Sequence, residues 1–283
     1  MTIAHQAVVI TGAGSGIGRA TALLLAAKGF TVFAGVRRAG DGVALQRTAE
    51  GYVVPVNLDV TDAPSIAAAV KRVEIDCPNG PVSVVNNAGV SYHAPLEYAD
   101  EDHVRAQLET NVVGPSMVTK AFLPLVRRGP GRIVNVSSGA GRIAPPLAGA
   151  YAASKFALEA MSDALRLELR RWGIHVSVIE PGFVATEIHD KNERDLGRWQ
   201  ARVPPVALER YGDAVKKLRR ANESRLKKAV SPEEVASAIH HALTARRPKT
   251  RYPVGPDARL MALVIRMLTD GMKDRIFGRM TGM

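Results

Sequence analysis

The sequence predicts a doubly wound α/β fold, in which helices cover both faces of one parallel β-sheet. Two observations predict this class. Short β-branched runs alternate with longer segments of helical periodicity over residues 7–182. The apolar runs also show little alternation, which is typical of strands buried on both faces. A chain of 283 residues with this pattern has enough apolar material for one large core.

The strands are predicted from apolar, β-branched runs that end in small or polar residues. Six lie in the first two thirds of the chain and one near its end, at 7–11, 31–36, 53–60, 82–89, 132–138, 175–182 and 251–255. Helices are predicted between and after them at 18–29, 63–74, 100–126, 151–173 and 231–245. Gly29 and Gly173 follow two of these helices, where a left-handed C-cap is favoured.

The pattern changes after residues 1–189, which hold six of the seven predicted strands and form the predicted core of the fold. Residues 190–230 are polar, basic and rich in helix formers. Residues 231–283 are predicted to add C-terminal helices and the last strand. The segment 258–280 is amphipathic, with Gly271 as a candidate break. Because no linker composition separates these parts, we predict a single domain with a C-terminal helical elaboration.

The net charge of +11 raises the question of an acidic partner. The excess of basic residues lies in 190–230 and 245–283, outside the predicted core, and no series of aromatic residues for base stacking accompanies it. We therefore expect solvated helix faces and no nucleic-acid partner. The Met- and Leu-rich stretch 258–268 either packs on the protein or lies in a membrane interface. Packing is the favoured interpretation, so peripheral membrane contact is the weaker alternative.

Cysteine content and hydropathy predict a cytoplasmic protein. Cys77 is the only cysteine, so an internal disulfide is excluded. The first ten residues lack the pattern of a signal peptide, and no apolar run approaches the roughly 18 residues of a membrane-spanning helix. The seven histidines do not have metal-ligand spacing, so no metal site is expected.

The stretch TGAGSGIG at residues 11–18 follows the first strand and opens the first helix. Its glycines allow a tight turn and a close approach of the backbone to a pyrophosphate, and the helix N-terminus offers free N–H groups. A merely tight strand–helix turn is the alternative. The position of the stretch in a strand–helix unit favours dinucleotide binding.

The end of the second strand distinguishes NADP(H) from NAD(H). A carboxylate there binds the ribose 2′-hydroxyl, whereas an arginine accommodates a 2′-phosphate. This chain has Arg37 and Arg38 there and no acid until Asp41. We therefore predict NADP(H) in preference to NAD(H), with Arg37 as the main phosphate ligand. Solvated loop arginines are the alternative interpretation.

Tyr151 and Lys155 are four positions apart in GAYAASKFAL, residues 149–158. On a helix they share one face, one turn apart. A core tyrosine beside a lysine that reaches water would have the same spacing. An ammonium in this place could instead lower the proton affinity of the phenol.

Together these motifs resemble the short-chain dehydrogenase/reductase family, whose members have a Rossmann-like fold. The resemblance covers about residues 7–188 and is closest to steroid and retinol dehydrogenase-like members. It rests on TGAGSGIG (11–18), NLDV (57–60), NNAG (86–89), ETNVVG (109–114), VSS (136–138), YAASK (151–155) and PGFVAT (181–186). All seven motifs occur in the order typical of the family.

The resemblance implies roles for segments and for individual residues. Residues 1–189 would be the cofactor-binding and catalytic core, and residues 190–230 would form a lid segment over the substrate. The implied catalytic residues are Asn111, Ser138, Tyr151 and Lys155. Tyr151 would act as general acid or base, Lys155 would lower its pKa, Ser138 would bind the substrate oxygen, and Asn111 would hold a water. The implied cofactor-binding residues are Gly12, Ser15, Gly16, Ile17, Gly18, Arg37, Asp59, Val60, Asn87, Ala88, Gly89, Tyr151, Lys155, Pro181, Gly182, Val184 and Thr186.

We therefore expect an NADP(H)-dependent oxidoreductase that interconverts a hydrophobic, steroid-, retinoid- or lipid-like alcohol and its ketone or aldehyde. A 3-oxoacyl reductase of lipid synthesis and a catalytically silent NADP(H)-binding sensor are the alternatives. The family also implies a homodimer or homotetramer that associates through the helices at 100–126 and 151–172. The sequence does not specify the substrate, its stereochemistry or the direction of the reaction.

Overall fold

The computed structural model describes residues 6–265 and 267–281, so residues 1–5, half of the stretch that was compared with a signal peptide, lie outside the described range. Seven parallel strands form one sheet in the order β3-β2-β1-β4-β5-β6-β7. They are β1 (Ala7–Ile10), β2 (Thr31–Val36), β3 (Val53–Asn57), β4 (Val82–Asn86), β5 (Arg132–Val136), β6 (His175–Pro181) and β7 (Arg251–Val254). The predicted single-domain, doubly wound fold is confirmed.

Helices follow most strands and cover the sheet. They are α1 (Gly16–Ala27), α2 (Ala39–Thr48), α3 (Ala63–Asp76), α4 (Glu101–Leu108), α5 (Gly114–Val126), α6 (Gly149–Leu169), α7 (Ile188–Arg202), α8 (Pro205–Leu226), α9 (Pro232–Thr244), α10 (Pro256–Val264) and α11 (Asp270–Thr281). No helix within residues 6–265 and 267–281 combines the length and apolarity needed to cross a membrane.

The strand order reverses at β1, and this reversal creates the crevice of the fold. Ile10 of β1 pairs with Ala34 of β2 on one side and with Val85 of β4 on the other. The loops that leave β1 and β4 therefore diverge above the carboxyl ends of these strands. Ligands of open parallel sheets bind at such a point.

Two apolar layers hold the helices against the sheet. Val8 and Ile10 point into a cluster shared with α1 and α9, whereas Val9 points into a second cluster with Phe33 and Phe122. Neighbouring residues of one strand are thus buried on opposite faces, as the lack of alternation in the sequence indicates. A third cluster, which includes Leu196, Trp199 and Val215, packs α7 and α8 beside the sheet.

The predicted helix 100–126 is interrupted by one turn of π-helix over residues 109–113, so α4 and α5 are separate. Asp100 caps α4 by accepting a hydrogen bond from the Asp102 N–H. Within the wide turn, the Gly114 N–H donates to the carbonyl of Glu109, five residues earlier. Pro115 has no N–H, which removes the α-helical donor that the Asn111 carbonyl would otherwise have. Turns of this kind are frequent at functional sites.

Two other differences from the sequence prediction concern helices. α2 was not predicted, because its sequence, AGDGVALQRT, has two glycines and little apolar periodicity. The side chain of Leu45, in the middle of this helix, is nevertheless buried in the core. The predicted helix 258–280 is divided into α10 and α11 by residues 265–269, and Gly271 lies inside α11. Part of that break, Arg266, lies outside the described residues.

Candidate active site

A cleft of about 1410 Å³ lies above the carboxyl ends of the central strands. Its floor is formed by the glycine-rich turn after β1 and the loops after β2, β3, β4, β5 and β6. Its walls come from α7, α8, α10 and α11. Every residue that the sequence analysis assigned to catalysis except Asn111, and every predicted cofactor-binding residue except Gly18, lines this cleft. Those two are packed directly behind it.

The glycine-rich turn is fastened to the end of β4. The Thr11 hydroxyl accepts hydrogen bonds from the N–H groups of Asn87 and Ala88, each at 3.0 Å. The Asn87 amide donates to the Thr11 carbonyl at 2.9 Å. Gly12 has φ +65°, and a Cβ on Gly18 would lie 2.2 Å from the Gly12 carbonyl oxygen. The close packing therefore requires glycine at both positions.

The start of α1 is open to an anion. Ser15 is the N-cap but makes no side-chain capping bond, and the first turn of α1 carries no acidic residue. A Cβ on Gly16 would lie 3.2 Å from Thr186 of the loop after β6, so the two predicted cofactor loops meet here. Free N–H groups, the helix dipole and a cradle without Cβ atoms fit the pyrophosphate of a nicotinamide dinucleotide.

The two arginines after β2 have different surroundings. Arg38 forms a salt bridge with Asp41, with 2.9 Å between Nε and Oδ2. Arg37 also lines the cleft but makes no ion pair with any residue that the structure describes. Asp41 is turned toward the glycine-rich turn, where a Cβ on Gly14 would lie 3.1 Å from its carboxylate. Arg37 is thus the cation available to a ligand at this end of the cleft.

Asp59 and Val60, predicted at the adenine end, line the cleft after β3. The Asp59 carboxylate accepts hydrogen bonds from the backbone N–H and the hydroxyl of Thr61, at 3.0 and 2.8 Å. Although burial raises the pKa of Asp59, these bonds and the charge of Arg37 lower it overall. The carboxylate is therefore anionic at neutral pH and is held against its own loop.

Tyr151 and Lys155 lie on the face of α6 that borders the cleft. The Lys155 ammonium nitrogen is 5.8 Å from the centre of the Tyr151 ring and donates to the Val136 carbonyl at 3.0 Å. Burial lowers the pKa of Lys155 to about 8. Burial also raises the pKa of Tyr151, while a hydrogen bond with the Ser138 hydroxyl opposes that rise.

Ser138 follows β5 at the start of a short 3₁₀ turn, Gly139–Gly141. Its hydroxyl oxygen accepts a hydrogen bond from the Ala140 N–H at 3.1 Å, which fixes the side chain toward α6. Ser138 and Tyr151 therefore present two hydroxyl groups to the same region of the cleft. A carbonyl oxygen placed between them could accept hydrogen bonds from both.

Asn111 is fully buried in the π turn, and its side chain is completely engaged. Its Oδ1 accepts from the Val90 N–H and its Nδ2 donates to the Val90 carbonyl, both at 2.8 Å; Nδ2 also donates to Ser154 at 3.0 Å. A Cβ on Gly89 would lie 3.2 Å from Asn111 Oδ1 and 3.7 Å from the Lys155 nitrogen. The side chain thus joins the loop after β4 to α6 next to Lys155.

The loop after β6 depends on Asp257, a residue that the sequence analysis missed. The Asp257 carboxylate accepts from the N–H groups of Phe183 and Ala258, at 3.0 and 2.9 Å. A Cβ on Gly182 would lie 2.0 Å from it, so Gly182 must be glycine. The only local signal was the helix start at Pro256, which does not indicate contact with a loop more than 70 residues earlier.

Two histidines border the substrate side of the cleft. The His93 ring lies 6.3 Å from the Tyr151 ring, edge to face, and burial, followed by the charge of His189, lowers the pKa of His93 to about 4. His189 stacks on Phe183, with 4.2 Å between ring centres, and its Nε2 bonds to the Val184 carbonyl at 2.7 Å. His93 is therefore neutral at physiological pH.

Comparison with known proteins identifies relatives of the whole chain. The family model for short chain dehydrogenases matches residues 6–197. Retinol dehydrogenase 5 of Homo sapiens is 38% identical over 276 residues, which cover 95% of this chain and 86% of that protein. A short-chain dehydrogenase of Burkholderia cenocepacia J2315 in complex with NADP has a TM-score of 0.72 at 25% identity and covers 99% of each chain. A second, from Burkholderia phymatum in complex with NAD, has a TM-score of 0.75 at 26% identity, over 93% of this chain and 92% of that one.

Proposed function

Since this chain belongs to the short-chain dehydrogenase family, we propose that it interconverts a hydrophobic alcohol and its ketone or aldehyde with NADP(H), using Tyr151 as general acid or base. As in its named relatives, the activity is that of an oxidoreductase acting on CH–OH groups. The cofactor preference, the substrate class and the roles of individual residues are the parts that we propose. The observation that carries them is the convergence of Ser138, Tyr151 and Lys155 on the cleft.

The proton chemistry follows from the positions of these three side chains. A bound nicotinamide would accept or supply the hydride. Tyr151 would donate a proton to the substrate oxygen during reduction and take it back during oxidation. Ser138 would hold the same oxygen by a hydrogen bond and stabilise the negative charge that develops there.

Lys155 would make this proton transfer feasible near neutral pH. Burial raises the pKa of Tyr151, so without help the phenol stays protonated near neutral pH and little phenolate is present to act as a base. The ammonium of Lys155, close to the ring, stabilises the phenolate and lowers the free energy of the proton transfer. Because Lys155 lies one turn after Tyr151 on α6, the helix holds the ammonium at a constant separation from the Tyr151 ring.

We propose that the main-chain carbonyl of Asn111 holds the water that connects Lys155 with solvent. Its side-chain amide is already bound to Val90 and Ser154. Its carbonyl lacks the α-helical donor because Pro115 has no N–H. The interruption of the helix at residues 109–113 therefore supports a carbonyl acceptor directed at the site, with the side chain as its anchor.

The arrangement of the predicted cofactor-binding residues supports the binding of a dinucleotide. Arg37, free of any ion pair in the described parts of the chain, supports a 2′-phosphate and hence NADP(H). Gly12, Gly16 and the start of α1 would bind the pyrophosphate. The loop Pro181–Thr186, anchored by Asp257, would hold the nicotinamide.

An apolar substrate is supported by the wall opposite Tyr151. α10 and α11 contribute Leu260, Met261, Val264, Ile276 and Phe277 to the cleft. Such a wall favours an extended hydrophobic molecule over a small polar one. The name of the human relative, retinol dehydrogenase 5, agrees with this class. Residues 190–230, in α7 and α8, would cover the substrate and exclude water.

Turnover of apolar alcohols and carbonyls, followed by the absorbance of the reduced cofactor, tests the proposal. NADP(H) should support turnover, and Tyr151→Phe should reduce kcat by about a hundredfold to ten-thousandfold, because one positioned proton donor contributes that much. Tyr52→Phe is the matched control, since Tyr52 is 66% exposed and is not one of the residues that line the cleft. Full activity in Tyr151→Phe would refute the assigned role. Tight NADPH binding without turnover would favour a cofactor sensor.

A further inference from the structure

A buried group of charged side chains lies behind Lys155. Arg251 of β7 contacts three carboxylates: Glu159 at 3.0 Å, Asp163 at 2.7 Å and Glu180 at 3.3 Å. Arg142 forms a further salt bridge with Glu180 at 2.7 Å. Glu159 and Glu180 are only 6% and 2% exposed. Carboxylates so deeply buried are costly unless they are paired, and nothing in the proposed mechanism uses them.

Glu159 is the member of this group that lies nearest to the reacting groups along α6. Tyr151, Lys155 and Glu159 are spaced by four residues, so they follow one another along one face of the helix. Arg251 holds Glu159 through Oε2. The other oxygen, Oε1, is buried without a well-formed hydrogen bond to any described residue, and so is the hydroxyl of Ser137 next to Ser138.

The turn at Gly141 closes the space between these groups. A Cβ on Gly141 would lie 2.7 Å from the Ser137 hydroxyl oxygen, 3.1 Å from Glu159 Cγ and 3.3 Å from the Lys155 carbonyl oxygen. The Glu159 side chain, at its Cγ, and the backbone carbonyl of Lys155 are therefore packed under the same turn. Lys155 and Glu159 are only 5% and 6% exposed, so solvent screens their attraction less than it would at the surface.

Opposing charges act on Lys155 and Glu159. Burial lowers the pKa of Lys155 to about 8, and the carboxylate of Glu159 limits the decrease. Burial raises the pKa of Glu159, and the nearby carboxylate of Glu180 raises it further. The Ser137 hydroxyl and the charges of Arg251 and Arg142 act in the opposite direction. The titratable or charged groups that face the pair are Tyr151 and Asp163 of α6, His93 after β4, Arg142 after β5, Glu180 of β6 and Arg251 of β7.

We propose that Glu159 is a positioning residue of the active site, whose carboxylate, held by Arg251, keeps the Lys155 ammonium charged and thereby sets the alkaline limit of catalysis. This rests on the proposed function, because it assigns Glu159 an effect on the proton chemistry of Tyr151 through Lys155. Glu159 itself touches neither the substrate nor the cofactor. Its effect is electrostatic, so it depends on charge more than on shape.

The test compares pH profiles of kcat and KM for carbonyl reduction in three variants. Glu159→Gln removes the charge with little change in volume, and Glu159→Asp retains it. Glu168→Gln is the matched control, since it removes a charge from an exposed position on the same helix. Without the carboxylate the pKa of Lys155 falls, so the ammonium is lost at lower pH. In Glu159→Gln, the alkaline limb of the kcat profile should move to lower pH by about one unit. A nearby opposite charge shifts a pKa by at least about that much.

At about pH 6, where Lys155 remains protonated in every variant, kcat and the KM for NADPH should stay within about twofold of wild type. Glu159→Asp and Glu168→Gln should keep the wild-type limb. The inference would be overturned if the pH profile of Glu159→Gln superimposed on that of the wild type, or if this variant lost kcat equally at every pH. Should Glu159→Gln not fold, Glu159→Met is a neutral replacement of similar length. If the wild type itself reduces no carbonyl, the proposed function fails instead.

Discussion

At the scale of single residues, the surroundings of a side chain decide what it can do. Arg37 and Arg38 are adjacent in the sequence and both line the cleft. Asp41 neutralises Arg38 through a salt bridge, whereas Arg37 forms no salt bridge with any described residue, although its charge acts on the carboxylate of Asp59. Identical side chains thus differ in the free energy with which they can bind a phosphate.

This difference predicts unequal effects of two matched substitutions. Arg37→Ala should weaken NADPH binding by about tenfold to a hundredfold, since a charge-assisted bond to the 2′-phosphate is lost. Arg38→Ala should change the affinity much less, because Arg38 already binds Asp41. Fluorescence titration with NADPH and NADH measures both. A larger loss in Arg38→Ala, or an equal loss of NADH affinity in Arg37→Ala, would contradict the assignment of Arg37.

At the scale of elements, the glycine-rich turn and the loop after β4 form one unit. Thr11 and Asn87 bind each other's backbones, and Gly12 and Gly18 leave no space for a side chain. The start of α1 therefore has a fixed direction relative to β4. A rigid turn of this kind presents its N–H groups to an anion without further ordering.

Substitution of two glycines by alanine tests whether this unit is packed as tightly as the structure indicates. Gly18→Ala should lower the free energy of unfolding by about 1–3 kcal/mol, the usual cost of overpacking, and weaken NADPH binding at least tenfold, because the new Cβ would displace the Gly12 carbonyl. In Gly40→Ala, where the space is open, the change should be neutral or stabilising by up to about 1 kcal/mol. Thermal unfolding and NADPH titration measure both. Wild-type behaviour of Gly18→Ala would refute the packing argument.

The elements differ in how far the sequence alone predicts them. The strands were predicted because each is a short apolar run bounded by small or polar residues, although those at 53–60 and 82–89 end three residues earlier in the structure. α2 was missed because burial of Leu45 against the sheet stabilises it more than its own propensity does. The π turn was missed because Asn111 takes its conformation from contacts with Val90 and Ser154, which are distant in the sequence.

At the scale of the whole molecule, two surfaces carry exposed apolar side chains. α10 and α11 form the wall of the cleft, and Leu260 and Ile276 reach from it to the surface. On the other surface, Met117 of α5 and Phe156 and Met161 of α6 are 39–43% exposed. Large exposed apolar side chains on adjoining helices favour association between copies of a chain. The predicted homodimer or homotetramer would associate through α4, α5 and α6, which correspond to the predicted helices 100–126 and 151–172.

Phe156→Glu tests this association. A buried, unpaired carboxylate at a two-fold interface is strongly unfavourable, so the variant should sediment as a smaller species than the wild type. Tyr52→Glu, at an exposed aromatic residue beside β3, is the control and should sediment as the wild type does. A wild-type monomer, or a Phe156→Glu variant of unchanged size, would refute the predicted interface. The cytoplasmic location stays a prediction from the sequence.

The sequence by itself determined the features that depend on local geometry. Spacing of four on a helix placed Tyr151 and Lys155 on one face, and glycines after a strand indicated the phosphate-binding turn. Only the tertiary structure decided which distant residues meet. Arg251 pairs with Glu159 from 92 positions away, and Asp257 anchors Phe183 from 74. The physical reason is that these contacts follow from the order of strands in the sheet, which brings β7 beside β6, and no local pattern in the chain encodes that proximity.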